Sequence, residues 1–242
     1  RPPRSTLFPY TTLFRSKKTG FTLAETLITL GIIGIVAAIT LPTLITKLSN
    51  DRNSTILKED YSILQQMMKS ANYAGAIENK VGENNLEDLE KWFETYMLPY
   101  IKTSNICYDE WGCWNKNILN SNGTKFIESG QCGYHSISFV LNNGSYVCMD
   151  DIGSNKQKYG VDSTDMLVFV IDVNGDKKPN TFGKDIFAVV YKDEQLIPAG
   201  YDMEKDKINQ NCSETCSGNF CGTYCMVKVQ RQGFKLPVLG KK

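Results

Sequence analysis

The sequence predicts an α+β chain: a long N-terminal hydrophobic helix followed by a globular head with an antiparallel β-sheet. Three observations predict it. From Thr26 to Thr46, twenty-one consecutive residues carry no charge and are mostly Leu, Ile, Val and Ala. Beyond them apolar residues return at three-to-four-residue spacing, the mark of a one-faced helix. Further on, short runs of β-formers are separated by turn signals, with Asn142-Asn143-Gly144 as the plainest hairpin turn.

The first element is the apolar run. At about 1.5 Å per residue its twenty-one residues span a bilayer core of roughly 30 Å. A buried core helix needs neither that length nor apolar residues on every face. A secretory signal peptide would be shorter and end in small residues at a cleavage site. Leu41-Pro42-Thr43 and the residues beyond it offer no such site. A plain signal anchor fits the length but leaves Glu25 unexplained. A carboxylate at bilayer depth costs about 2.5–3.5 kcal/mol on insertion scales, so such a residue calls for a partner.

Lys17-Lys18-Thr19-Gly20-Phe21-Thr22-Leu23-Ala24-Glu25 resembles the processing site of type IV prepilins and type II secretion pseudopilins. The resemblance covers about thirty residues. It implies that a membrane peptidase cuts after Gly20 and methylates the new amine of Phe21. It also makes Glu25 the fifth mature residue and Pro42 the helix-kinking proline. In that family the glutamate of an incoming subunit meets the N-terminal amine of its neighbour. Opposite charges attract strongly in a low-dielectric setting where each alone is costly, so the pair sets axial register. The plainer alternative has Glu25 solvated at the membrane interface. Small residues at Gly31, Gly34, Ala37 and Ala38 allow close helix approach, or are incidental in a leucine-rich span.

Residues 1–16, RPPRSTLFPYTTLFRS, resemble translated sequencing-adapter sequence and are set apart as a non-native segment. Residues 17–20 are then a leader remnant, 21–46 the transmembrane and assembly helix, and 47–242 the pilin-like head with the continuation of the helix. The chain has 27 basic and 26 acidic residues. Without Arg1, Arg4, Arg15, Lys17 and Lys18 the balance is 22 against 26, which offers no footprint for nucleic acid. With 41% apolar and 11% aromatic residues overall, the chain has material for a folded body rather than a disordered tail.

Ile56, Leu57, Ile63, Leu64, Met67, Met68 and Ala71 continue the helix amphipathically. Asn50, Asp51 and Asn53 mark where it softens, and Gly75 and Gly82 bracket its end. The Met67-Met68 pair reads as core packing rather than a soft ligand site. A second helix is expected from Asn85 to Leu98, with Leu86, Leu89, Trp92, Phe93, Tyr96 and Met97 on its apolar face and Pro99 ending it. The stretch after Pro99 is rich in Asn, Gly, Cys and Trp and reads as loops. Strands are expected at His135–Leu141, Ser145–Met149, Met166–Val173 and Ile186–Tyr191, with an edge at Glu194–Pro198.

Between the last two long strands lies IDVNGDKKPNTFGKDIF. Asp172, Asn174, Asp176, Asn180 and Asp185 place five oxygen-bearing side chains within fourteen residues. Such alternation can converge on a hard cation such as Ca2+, with Gly175 and Gly183 permitting tight turns. Glycine stands fourth rather than sixth and Gly183 stands twelfth, so an EF-hand does not fit. The stretch resembles a late loop of pseudopilin heads, which binds calcium in some members. It reads equally as a β-turn held by Asx hydrogen bonds without metal.

Eight cysteines lie beyond the apolar run: Cys107, Cys113, Cys132, Cys148, Cys212, Cys216, Cys221 and Cys225. An even number in an exported head reads as disulfides. The last four form C-x3-C-x4-C-x3-C, wider than the knuckles of structural zinc sites. Cys107 with Cys113, and bridges within Cys212–Cys225, are the short-range expectations among 105 connectivities. Catalysis finds little support: His135 is the only histidine, and neither a G-x-S-x-G elbow nor a phosphate loop is present.

The resemblance therefore implies a structural, non-enzymatic filament subunit. Its partners are identical or related pilin subunits, a prepilin peptidase, an inner-membrane assembly platform and the membrane. It implies a single pass through the bacterial cytoplasmic membrane with an extracytoplasmic head. The reading from another class is a membrane-anchored extracytoplasmic domain that binds calcium or a surface ligand.

Overall fold

The computed structural model describes residues 20–76, 86–110, 113–115, 117–126, 132, 136–153, 156–162 and 165–239. Its packing divides the chain into two units, 1–46 and 47–242. Helix α1, Leu23–Tyr73, runs through the division and contains Pro42. In the first unit the apolar side chains are open: Leu27, Ile33 and Ile39 are each more than half exposed. Threonines in this half return their hydroxyl hydrogens to the helix, as from Thr29 Oγ1 to the Glu25 carbonyl at 2.9 Å and from Thr46 Oγ1 to the Pro42 carbonyl at 2.8 Å. A polar residue satisfied in this way adds little cost to an apolar span.

The second unit holds the head. The expected softening at Asn50–Asn53 does not occur. Ser54 and Thr55 bond back to the Asn50 and Asp51 carbonyls, and α1 continues to a turn at Gly75. Its buried stripe is Asn53, Leu57, Asp60, Leu64, Met67, Met68 and Ala71. Helix α2 spans Leu86–Tyr96, and a 3-10 turn, Leu98–Tyr100, carries the chain over Pro99. Trp92 and Phe93 dock α2: Trp92 Nε1–H donates to the Ala76 carbonyl at 3.1 Å, and Phe93 stacks on Phe139 at 5.6 Å.

Six strands form one antiparallel sheet in chain order: β1 Thr103–Tyr108, β2 Ile137–Leu141, β3 Tyr146–Gly153, β4 Asp165–Asp172, β5 Ile186–Lys192 and β6 Gln195–Pro198. Strand β1 corrects the sequence reading, which made that stretch loop. It is an edge strand with one fully buried side chain, Cys107, so no apolar alternation announces it. The expected strand from His135 runs over Ile137–Leu141, with Ser136 before it outside the strand; His135 lies outside the described residues.

Both faces of the sheet are covered. Phe139, Val147, Met149, Phe169, Ile171, Phe187 and Val189 face α1 and α2. Cys148, Val168, Val170, Ile186, Ala188 and Val190 face a second core with Trp114, Phe126 and Phe182. This two-sided burial explains why β4 and β5 read as continuous apolar runs. Helices α3 (Lys156–Tyr159), α4 (Lys205–Asn211) and α5 (Cys225–Arg231) complete the head and were not anticipated.

Candidate functional site

Two regions carry the residues singled out from the sequence. At the start of α1, Gly20 is exposed, as is Phe21 at 83%. Thr22 and Glu25 form a reciprocal cap. Thr22 N–H and Oγ1–H both donate to Glu25 Oε2 at 2.8 Å, and Glu25 N–H donates to Thr22 Oγ1 at 3.2 Å. This is the capping-box arrangement, which satisfies otherwise orphaned donors of the first turn. Glu25 thus has a local partner within its own chain. Pro42 sits inside the helix and supplies no backbone donor.

The second region is the β4–β5 connection. Asp172 and Asp185 are both fully buried. Asp185 is an acceptor hub: Thr181 N–H reaches Oδ1 at 2.6 Å, while Asn180 N–H at 2.8 Å and Asn174 Nδ2–H at 3.0 Å reach Oδ2. Asp172 accepts from Asn174 N–H at 3.2 Å and from Asn115 Nδ2 at 2.9 Å, and the same Asn115 nitrogen donates to the Gly175 carbonyl at 3.0 Å. Gly175 has φ +60, and a Cβ there would lie 2.7 Å from the Gly144 carbonyl oxygen, so the loop packs directly on the β2–β3 turn. Burial, with the Asp185 charge adding to it, pushes the Asp172 carboxyl up to about 8. Burial raises Asp185 too, against the donors that hold it down.

Hydrogen bonds therefore tie together Asp172, Asn174, Asp185 and the Asn180 backbone. Asp176 stands apart, exposed, where it accepts a hydrogen bond from Tyr146. Asn174 Oδ1 and Asn180 Oδ1 are buried without hydrogen-bond partners. These are hard oxygen donors of the type calcium takes, although much of the lone-pair capacity of the two carboxylates is already used by protein donors. Among the described residues, no three His, Cys, Asp or Glu side chains converge as a metal-holding group. Asn115, which clamps the loop from 57 residues away, was not singled out from sequence, and no local pattern marks it.

The cysteines pair as Cys107–Cys113, Cys132–Cys148, Cys212–Cys225 and Cys216–Cys221. The nested last two staple α4 to α5 and close the loop between them. Beside that loop lies a cavity of about 450 Å³ lined in part by Gln157, Met203, Lys207 and Cys216. The two polar groups deepest in the lining are committed: Asn211 is bonded to the loop backbone and Tyr224 OH donates to the Gln157 carbonyl.

A long N-terminal helix followed by a head with a six-stranded antiparallel sheet makes this an α+β chain. Residues 15–41 match the family model described as a prokaryotic N-terminal methylation motif, which supports a type IV prepilin-like family. That family is structural rather than enzymatic. No curated protein and no solved structure matches the chain. The motif and the single membrane-length helix among the described residues suggest membrane anchoring with a head domain.

Proposed function

We propose that the chain is a structural subunit of a type II secretion pseudopilus or a type IV pilus-like filament. Cleavage occurs after Gly20, and the amine of Phe21 is methylated. Related pilin subunits, prepilin peptidase and an inner-membrane assembly platform are its partners. The head stands outside the bacterial cytoplasmic membrane before and after assembly. One observation carries this reading: a helix with its apolar side chains open and one carboxylate, Glu25, near its start, inside the matched motif. Such a surface is stable only in lipid or against other helices. Its burial in a bundle at about 25 cal/mol per Å² of apolar area supplies the holding energy. Mass spectrometry of the native protein tests it. A methylated N-terminus at Phe21 is expected, and an uncut leader containing Lys17 and Lys18 defeats the proposal.

A second reading, a calcium-stabilised head, draws on the buried Asp172 and Asp185 with the unpartnered amide oxygens of Asn174 and Asn180. Asp172, Asp185, Asn174 and Asn180 would hold the ion, which would supply positive charge to carboxylates now raised by burial and, at Asp172, by the Asp185 charge as well. Thermal unfolding of the full chain in calcium and in chelator tests this. An equal midpoint in both leaves the loop as a hydrogen-bonded turn.

A further inference from the structure

Asp60 is the charged member of the buried stripe of α1, and it is 0% exposed. Its Oδ1 accepts from Asn143 Nδ2 at 2.7 Å, which joins α1 to the turn between β2 and β3. Its Oδ2 has no hydrogen-bond partner. Ser145 stands next to it: the hydroxyl is 2.7 Å from Asn143 Oδ1 and also faces the Asp60 carboxyl. A hydroxyl has one hydrogen to give and lone pairs to accept with. That hydrogen is directed to Asn143 Oδ1, and Asp60 Oδ2 is left without a donor.

We propose that Asp60 is a proton-binding site. Its neutral carboxyl carries the hydrogen on the unpartnered Oδ2 and accepts from Asn143 at Oδ1, fastening α1 to the β2–β3 turn. Loss of the proton leaves a buried charge with one short donor. Burial raises the carboxyl from 3.8 to about 6, with Asn143 and Ser145 drawing it down and Glu59, its neighbour on α1, adding to the rise. Residues 142–145 of the facing turn are Asn, Asn, Gly and Ser, none of which titrates. The sign is set by linkage: the folded state holds the proton more tightly than the unfolded chain. The stabilisation is complete below 3.8 and is lost as pH rises through about 6. The joint between the head's part of α1 and the sheet is thus firmer in acidic surroundings.

The test uses the full chain in detergent micelles. Thermal midpoints of wild type and Asp60→Asn are compared from pH 4 to pH 7.5. Buried Asp172 and Asp185 titrate in both proteins, so they cancel in the difference. The gap, variant minus wild type, is expected to grow in favour of Asp60→Asn as pH rises; a flat gap overturns the proposal. The proton is read directly from the carboxyl carbon shift in carbon-13 aspartate-labelled wild type, where a midpoint raised to about 6 is expected. If Asp60→Asn fails to fold, the labelled wild type still decides, because a midpoint at the unfolded value of 3.8 excludes the bound proton.

Discussion

Replacing Asp185 by Ala tests whether the β4–β5 connection is held by one carboxylate. The side chain is fully buried and accepts from Thr181 N–H, Asn180 N–H and Asn174 Nδ2 at 2.6, 2.8 and 3.0 Å. Truncation strands two buried backbone donors and one amide donor. Each buried donor left without a partner costs about 1–3 kcal/mol. The amide can re-aim, and relief of the repulsion with Asp172 offsets part of the loss, so the net is about 3–5 kcal/mol. That is a large share of the roughly 5–15 kcal/mol that holds a domain folded. The assay is urea unfolding of the full chain in micelles, with chelator present and disulfides intact. Asp176→Ala is the matched control: the residue is exposed, and its removal should change stability by less than about 0.5 kcal/mol. A loss below about 1 kcal/mol for Asp185→Ala, or equal losses for both variants, would refute the hub.

The same packing sets three further outcomes. Phe93→Ala removes a fully buried ring stacked on Phe139 and should cost about 3–5 kcal/mol in urea unfolding. Gly175→Ala brings a Cβ to 2.7 Å from the Gly144 oxygen at φ +60, and a midpoint drop equivalent to about 1–3 kcal/mol is expected. Intact-mass spectra should show no glycan at the four Asn-x-Ser/Thr sites. Asn53 is buried, and the amides of Asn122, Asn143 and Asn211 donate to Cys216 O, Asp60 Oδ1 and Phe220 O.

Legibility in the sequence tracks how local the cause is. The apolar half of α1, the Asn143-Gly144 hairpin turn and the nearest cysteine pairs are set by neighbours in the chain, and a reader of residues can find them. Strand β1 could not be found that way. Its Ser and Asn side chains are exposed, and its strand character comes from pairing with β2 across 29 to 38 residues. Helices α4 and α5 have seven residues each, too short to stand alone. The Cys212–Cys225 bridge and burial of Ile208, Met226 and Val229 hold them. Asp60 was open to view: positions 53, 57, 60, 64, 67 and 71 keep four-three spacing, and a carboxylate on that stripe is an anomaly. Counting only apolar residues passes over it. For the β4–β5 loop, composition showed five oxygen donors, yet only the fold could turn Asp176 outward and bring Asn115 in.

Glu25 now carries two roles that one substitution would confuse. Its carboxylate caps the first turn of α1 through Thr22, and under the filament reading it also supplies the charge that meets a neighbour's N-terminal amine. Glu25→Ala removes both. Glu25→Gln keeps an oxygen that can accept from Thr22 N–H, because Gln serves at this capping-box position as Glu does, but it cannot offer a charge. Loss of the cap alone costs about 0.5–2 kcal/mol, modest beside an apolar helix in lipid or in a bundle. If charge sets axial register, filament yield should fall as far in Glu25→Gln as in Glu25→Ala, with both proteins inserted and cleaved normally. Thr22→Ala, which loosens the cap and spares the charge, should assemble. Filaments from Glu25→Gln at the wild-type level would remove the register argument and leave Glu25 as a helix cap.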